Sequence, residues 1–199
     1  MKRIYTIGYA GFDIDTFLTT LRRYSISVLI DVRSVPKASE YYEAYSKENL
    51  RPFLEQNGII YRNYAHEFGA RQNNREYFTN GYLDFKKFTQ TETFKSGVEK
   101  IEKGLSLNYN FVLMCAEKDP INCHRNIMVA KAMRDMGFEI SHILSDGSLQ
   151  TQEEMDTRLL DLYFKYPSLF DAPMDQKAML EEAYRRQNEK IGFKEKDIK

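Results

Sequence analysis

The sequence predicts an α/β domain of three layers, a Rossmann-like arrangement in which helices cover a largely parallel sheet. Short apolar runs alternate with stretches of helical periodicity through the first 146 residues. Parallel neighbouring strands need crossover connections, and the helices that form them cover both faces of the sheet. The chain has 199 residues, 42% of them hydrophobic, which is enough to bury one substantial core. One α/β domain is therefore the predicted centre of the fold.

Each element follows from the spacing of apolar residues. The predicted strands are residues 3–7, 28–33, 59–61, 110–114 and 138–144. The predicted helices are residues 13–24, 47–57, 84–88 and 93–103. A further helix starts at Pro120, capped by Asp119, or at Cys123, capped by Asn122, and runs to Gly137. The polar residues 66–81 are predicted to form a long ordered loop.

Residues 147–199 are predicted to be a helical C-terminal extension of the domain formed by residues 1–146. The composition after residue 146 is more charged, with helical stretches at 151–166 and 175–189. Pro167 and Pro173 separate the two stretches, because proline interrupts a helix. We expect residues 190–199 to be a frayed tail.

Composition and charge exclude several classes of partner. Lys plus Arg and Asp plus Glu both number 29, so no net positive field attracts nucleic acid or an anionic membrane. No apolar run approaches the roughly 18 to 20 residues of a membrane span, and the N-terminus lacks the apolar core of a signal peptide. Two cysteines do not form a disulfide framework. We therefore expect a cytoplasmic protein.

Unusual polar residues follow the predicted strands, and we expect them to form one ligand site. In an open parallel sheet, ligands bind in the crevice beyond the carboxyl ends of the strands. The same residues could instead only end strands and cap helices. Those predicted to bind the ligand are Gly8, Tyr9, Arg33, Glu67, Arg71, Cys115 and Arg125.

The segment from Cys115 to Arg125 concentrates the reactive side chains. It contains both cysteines and one of the three histidines. It joins a buried strand to a helix N-terminus, where backbone N–H groups and the helix dipole favour an anion. Arg125 adds a bidentate fork for a phosphate or carboxylate, and the same field favours a thiolate at Cys123.

Four residues are the catalytic candidates, and each has an ordinary structural alternative. Glu117 and Asp31 are predicted to transfer protons, with Cys123 or His124 as nucleophile or base. The structural alternatives are that Asp31 forms an internal ion pair with Arg33 and that Cys123 is a small buried thiol.

A metal site is a weaker alternative, formed by Cys115, Cys123 and His124 with His142 as a further ligand. Thiolate and imidazole groups suit zinc. Cys-x7-Cys-His is an unfamiliar spacing, however, and adjacent residues on a helix point apart, so no metal ligand is predicted. Exchange between the two cysteines is not favoured either, because the sequence has no Cys-x-x-Cys motif.

Several motifs, in this order and at this spacing, resemble the DUF488 family of uncharacterised proteins. They are Thr-Ile-Gly-Tyr at 6–9, Leu-Ile-Asp-Val-Arg-Ser at 29–34, Glu-Phe-Gly at 67–69, Cys-Ala-Glu-Lys-Asp-Pro at 115–120, Cys-His-Arg at 123–125 and His-Ile-Leu at 142–144. The resemblance spans about residues 3 to 146. It implies a compact α/β domain, mostly prokaryotic and intracellular, without an established reaction. Tyr9 stands where relatives often have His, and Ala70 where they have a second Gly.

Two functions remain as the main hypotheses. The first is an enzyme of nucleotide or nucleic-acid metabolism that binds a phosphate-bearing or other anionic ligand at the C-terminal edge of the sheet. The alternative is a non-catalytic module that binds nucleic acid, a nucleotide or a protein. A small anionic ligand or nucleotide is the predicted partner, since the balanced net charge disfavours nucleic acid. The sequence gives no cofactor and leaves the oligomeric state open.

Overall fold

A six-stranded sheet forms the centre of the molecule. The structure is a computed structural model that describes residues 2–37, 39–165 and 175–198. The strand order of the sheet is β3-β2-β6-β1-β7-β8, in which β8 is antiparallel to β7 and the other neighbours are parallel. A separate hairpin pairs β4 with β5. The strands are β1 (Arg3–Gly8), β2 (Val28–Asp31), β3 (Ile60–Asn63), β4 (Phe78–Thr79), β5 (Tyr82–Leu83), β6 (Phe111–Cys115), β7 (Glu139–Ile143) and β8 (Leu149–Thr151).

Helices cover both faces of this sheet. The α-helices are α1 (Ile14–Arg23), α2 (Lys47–Gln56), α3 (Ala65–Phe68), α4 (Phe85–Thr89), α5 (Glu92–Ser106), α6 (Lys131–Asp135), α7 (Gln152–Phe164) and α8 (Gln176–Ile191). Short 3₁₀ helices occupy Glu40–Tyr45, Arg75–Tyr77, Pro120–Asn122 and Glu195–Asp197, and a π-helix, Arg125–Ala130, leads directly into α6. The predicted α/β class and largely parallel sheet are confirmed.

The two faces of the sheet carry separate apolar cores. Phe17 of α1 and Leu50 of α2 pack with Val112 and Met114 on one face. On the other face Leu113 of β6 packs with residues of α5, the π-helix, α7 and α8. Connections after β1 and β2 therefore cross one face, whereas the connection after β6 crosses the other. The connections therefore diverge at the end of β6, which is the kind of position at which open parallel sheets bind ligands.

The predicted loop at residues 66–81 contains more structure than expected. It includes the end of α3, a 3₁₀ turn and the first strand of the β4–β5 hairpin. Asn80 and Gly81 form the hairpin turn with positive φ angles of 51° and 80°. Two-residue strands of this kind are too short for a period-2 pattern to reveal.

The predicted extension shares the sheet and the core of residues 1–146. It supplies β8, and its Met155 and Tyr184 belong to the same apolar cluster as Ile140 of β7. The residues expected to fray are also paired, because the backbone N–H of Leu83 donates to the carbonyl of Phe193 at 2.8 Å. Part of the predicted break, including Pro167 and Pro173, lies outside the described residues. The division at residue 146 stays a prediction.

Within the described ranges, none of the helices combines the length and apolarity needed to cross a membrane.

Candidate functional site

The carboxyl ends of β2, β6 and β1 lie side by side in the middle of the sheet. The backbone N–H of Tyr9 donates to the carbonyl of Cys115 at 3.1 Å, and that of Val32 donates to Met114 at 3.0 Å. The strand ends are thus held together by backbone hydrogen bonds. Candidate residues from three separate segments of the sequence converge here.

Gly8 allows the loop after β6 to approach β1 closely. A Cβ atom at this position would stand 1.8 Å from the carbonyl oxygen of Glu117 and 3.0 Å from Nη1 of Arg125. Only glycine leaves room for both groups. Gly8 therefore acts through its lack of a side chain.

Arg125 is fully buried and holds the loop after β6. Its Nη1 donates to the carbonyl of Glu117 at 2.6 Å and its Nη2 to that of Lys118 at 3.4 Å. Its Nε has no hydrogen-bond partner among the described residues. The guanidinium predicted to bind a ligand thus already has two partners within the protein, and ligand binding by Arg125 stays a prediction.

Cys123 lies between the 3₁₀ turn Pro120–Asn122 and the π-helix. Its backbone is extended, with φ −127° and ψ 136°, and its carbonyl accepts from Asn126 and Ile127 as the helix begins. Asp119 caps the 3₁₀ turn as predicted. Neither predicted start of a helix that runs to Gly137 is right, because Pro120–Asn122 is a separate 3₁₀ turn and the extended backbone of Cys123 divides it from the helix that follows.

The thiol of Cys123 meets the carboxylate of Glu117. Sγ lies 2.8 Å from Oε2 of Glu117, and the backbone N–H of Arg125 points to the same sulfur at 3.5 Å. Cys123 is 1% exposed, whereas Glu117 is an exposed residue. The carboxylate therefore connects a buried thiol with solvent.

The second thiol and the imidazole complete this group. Sγ of Cys115 lies 3.8 Å from Nδ1 of His124, and Nε2 of His124 lies 3.0 Å from the carbonyl oxygen of Val32. A carbonyl only accepts, so Nε2 carries the hydrogen. Nδ1 consequently faces the two sulfurs.

Mutual interaction shifts the pKa values within the group. Burial raises the pKa of Cys115, as does its hydrogen bond to Cys123. Although Glu117 as a residue is exposed, nearby protein atoms partly remove water from its carboxyl group, and this desolvation and the charge on Cys123 raise its pKa. Burial opposes ionisation of Cys123, but the hydrogen bond from Cys115 and the charge of Arg125 outweigh it and lower that pKa. The pKa values of the two thiols and of Glu117 thus depend on one another.

Asp31 and Arg33 form the internal ion pair that the sequence left open. Asp31 accepts two hydrogen bonds from the Arg33 guanidinium, at 2.9 and 2.6 Å, and a third from the Tyr61 hydroxyl at 2.6 Å. Both charges are at least 95% buried. Nη1 of Arg33 has no hydrogen-bond partner within the described ranges. These contacts occupy the Asp31 carboxylate, so its predicted part in proton transfer has no support in the geometry.

A row of tyrosine rings leads from Arg33 to the surface, and only Tyr9 among them was a sequence candidate. The Arg33 guanidinium lies over the Tyr9 ring at 5.2 Å. Tyr9 stacks on Tyr45 at 4.5 Å and meets Tyr42 edge to face at 5.3 Å, and Tyr41 follows at 4.8 Å from Tyr42. Tyr41 is 87% exposed. In the sequence, the two adjacent tyrosines at 41 and 42 are the feature that could have indicated this row of rings.

Glu67 and Arg71 make their side-chain contacts with other parts of the molecule. Glu67 forms a 2.6 Å ion pair with Lys100 of α5. The Arg71 guanidinium lies over the ring of Phe193, although its backbone N–H donates to Ser34 at 2.8 Å. The structure therefore gives both side chains structural partners.

Three of the possible metal ligands lie close together, although the sequence predicted that Cys123 and His124 point apart. The ligand atoms of Cys115, Cys123 and His124 all lie within 4.8 Å of one another. The premise that Cys123 and His124 point apart on a helix is wrong, because Cys123 is extended. His142 is hydrogen-bonded to Thr6 at 2.8 Å and to Gln152 at 3.0 Å instead.

A family model described as "Domain of unknown function DUF488" matches residues 13–132. The chain belongs to the DUF488 family. The matched region of this DUF488 protein includes the Asp31–Arg33 pair and the segment from Cys115 to Arg125, but not Gly8 or Tyr9. No curated protein and no solved structure matches the DUF488 chain.

Proposed function

We propose that this protein is an enzyme that binds a phosphate-bearing or other anionic ligand, related to nucleotides or nucleic acids, at the C-terminal edge of its sheet. The observation that carries the proposal is the 2.8 Å contact between Sγ of Cys123 and Oε2 of Glu117. This contact supports the proposal because it joins a thiol and a carboxylate, groups that can transfer protons, where the connections after β2, β6 and β1 diverge.

Glu117 is the proton-transfer group of this enzyme. Burial and the charge on Cys123 raise its pKa, which moves a carboxyl group towards the pH range in which it can both accept and donate a proton. The residue is also exposed. A ligand in the crevice can therefore reach the carboxyl group without displacing the core.

The anionic part of the ligand is held beside Arg33 and its aromatic part beside the tyrosines. Nη1 of Arg33 is a buried guanidinium nitrogen without a hydrogen-bond partner in the described part of the chain. The exposed ring of Tyr41 and the half-buried ring of Tyr42 offer faces on which a base can stack. Arg125 contributes by holding the Glu117 loop in place.

A non-catalytic binding module is the second candidate. It is favoured by the burial of both thiols, which are at most 2% exposed, and by the internal partners of both arginines. This candidate predicts ligand binding without turnover.

Thermal-shift measurements with four variants test the proposal. Phosphate, nucleotides and short oligonucleotides are screened against the wild type, because a ligand that binds the folded state raises the melting temperature. We expect a shift in the wild type that is lost in Arg33→Lys and kept in Glu117→Gln. Arg51→Lys and Glu48→Gln, both on the surface of α2, are the matched controls.

Product analysis with the stabilising ligands then separates enzyme from binding module. Removal of a general acid or base typically costs a factor of about 10² to 10⁴ in rate. We expect a loss of that size in Glu117→Gln and none in Glu48→Gln. Binding without any product would support the module, and no shift with any ligand in folded wild type would refute the anion site.

A further inference from the structure

We infer that Cys115, Cys123 and His124 form a zinc site whose fourth position opens towards Glu117. The three ligand atoms lie within 4.8 Å of one another, and the distance between Sγ of Cys115 and Nδ1 of His124 is 3.8 Å. In a tetrahedral zinc site, with Zn–S of about 2.3 Å and Zn–N of about 2.0 Å, ligand atoms stand roughly 3.5 to 3.8 Å apart. The group needs little movement to reach that geometry.

The chemistry of the three donors favours zinc among the common divalent metals. Two thiolates and an imidazole are softer ligands than those of magnesium or calcium sites. The two thiolates together balance the charge of a divalent cation. A metal ion thus compensates the negative charge that two ionised thiols would otherwise carry in a region at most 2% exposed.

His124 is oriented as a metal ligand. A ligating histidine almost always donates its other ring N–H to a carbonyl, carboxylate or water, which fixes the ring and its tautomer. Here Nε2 of His124 lies 3.0 Å from the carbonyl oxygen of Val32. Nδ1 therefore has no hydrogen, and its lone pair is available to bind a metal ion beside the two sulfurs.

The ligands come from rigid parts of the fold. Cys115 ends β6, which pairs with β1 and β2 on its two sides. Cys123 is held by the helix that begins after it, and its sulfur also receives the N–H of Arg125. The site is therefore built before any metal enters.

Glu117 lies beside the three ligands, with its Oε2 2.8 Å from Sγ of Cys123. A catalytic zinc site keeps three protein ligands and leaves its fourth position to water. Water bound there transfers a proton to the Glu117 carboxylate and remains on zinc as hydroxide. This role of Glu117 rests on the proposed function, whereas metal binding does not. In this scheme Cys123 is a zinc ligand, which replaces its predicted role as nucleophile.

Metal analysis of the full chain tests the inference. The protein is purified under reducing conditions, both thiols are confirmed by titration, and zinc content is measured by mass spectrometry. After chelation, cobalt(II) is added, because thiolate ligation gives a charge-transfer absorption band. We expect one zinc ion per chain and this band in the wild type.

Variants identify the ligands. We expect Cys115→Ser, Cys123→Ser and His124→Gln to weaken zinc binding by at least about 100-fold, with His66→Gln, an exposed histidine, as the matched control. Circular dichroism shows whether each variant is folded, and the change at His124, which is less buried than the two cysteines, is the least disruptive of the three. Folded wild type with reduced thiols but neither zinc nor the cobalt band would overturn the inference, as would equal zinc affinity in folded His124→Gln.

Glu117→Gln separates this inference from the proposed function. If both are right, the variant binds zinc as the wild type does and loses turnover. Ligand stabilisation and turnover in a wild type that binds neither zinc nor cobalt would refute the zinc site alone. One zinc per chain with no response to any anionic ligand would refute the anion site alone.

Discussion

His142 lies at the centre of a buried hydrogen-bond network that joins β1, β7 and α7. Its ring nitrogens contact Thr6 of β1 and Gln152 of α7, and Gln152 continues to Asn126 at 3.0 Å. The ring is fully buried. Its position is therefore explained by packing and hydrogen bonding, not by a ligand.

This burial predicts how stability depends on pH. Burial and the charge of Arg125 lower the pKa of His142 from 6.5 to about 3. Between about pH 6.5 and pH 3, His142 therefore binds a proton in the unfolded chain but not in the folded chain. Stability is complete above pH 6.5 and is lost as the pH falls towards about 3, by at most about 1.4 kcal/mol per pH unit.

Urea denaturation between pH 7.5 and pH 4.5 measures this dependence. We expect His142→Gln, which cannot titrate, to lose less stability over that range than the wild type, although it is less stable at pH 7.5. His66→Gln is the control, since that histidine is exposed. Equal pH dependence in His142→Gln and the wild type would contradict the assignment.

The sequence predicted which residues meet in the candidate site, but not how their side chains are oriented. The Cys-His-Arg motif and the strand ends were sufficient to locate Cys115, Glu117, Cys123 and His124 at one edge. The direction of the Cys123 side chain depends on an extended backbone between a 3₁₀ turn and a π-helix, and hydrophobic periodicity carries no signal for either. Arg125 was expected to face a ligand, but nearby carbonyls bind it, a contact set by tertiary structure.

At the scale of elements, Asn188 links α8 to the start of α4. Its Nδ2 donates to the carbonyl of Leu83 at 2.8 Å, and its Oδ1 accepts from the backbone N–H of Phe85 at 2.9 Å. Asn188 is 7% exposed. The side chain thus satisfies two backbone groups that have little access to water.

Asn188→Ala is therefore expected to destabilise the protein strongly. Each of the two buried backbone groups left without a partner costs about 1 to 3 kcal/mol, so the free energy of unfolding falls by roughly 2 to 6 kcal/mol. Chemical denaturation of the variant beside Asn73→Ala, at an exposed position, gives the difference. A loss no greater than that of Asn73→Ala would show that these hydrogen bonds are not important.

Long apolar strands were predictable, whereas short pairings were not. The five parallel strands all overlap predicted strands, and the clearest of them, β6, contains the apolar run Phe-Val-Leu-Met at 111–114, which is buried on both faces. β8 has three residues, none of them buried, and exists because β7 has a free edge beside it. The C-terminal pairing of Phe193 with Leu83 depends on residues 110 positions apart, which local composition cannot indicate.

At the scale of the whole molecule, the predicted boundary at residue 146 passes through a continuous core. Arg134 of α6 forms an ion pair with Asp156 of α7 across it. Met155 and Leu159 are buried against the same cluster as Met133. Residues before and after the boundary therefore stabilise one another.

Truncation after residue 146 is expected to prevent cooperative folding. It would expose the apolar face that α7 and α8 cover, because burial of that face supplies much of the stability. Circular dichroism and urea denaturation of residues 1–146, measured beside the full chain, test this. A cooperative transition at the same urea midpoint would establish residues 1–146 as an independent domain.

The strand order also has a consequence for the growing chain on the ribosome. β2 can pair with β3 soon after synthesis, since the two are close in sequence. β1 pairs only with β6 and β7, which are made much later. Non-local pairing of this kind is slow to form and leaves apolar strands exposed meanwhile. Although β1 precedes the other strands of this sheet in the sequence, it is therefore among the last of them to pair.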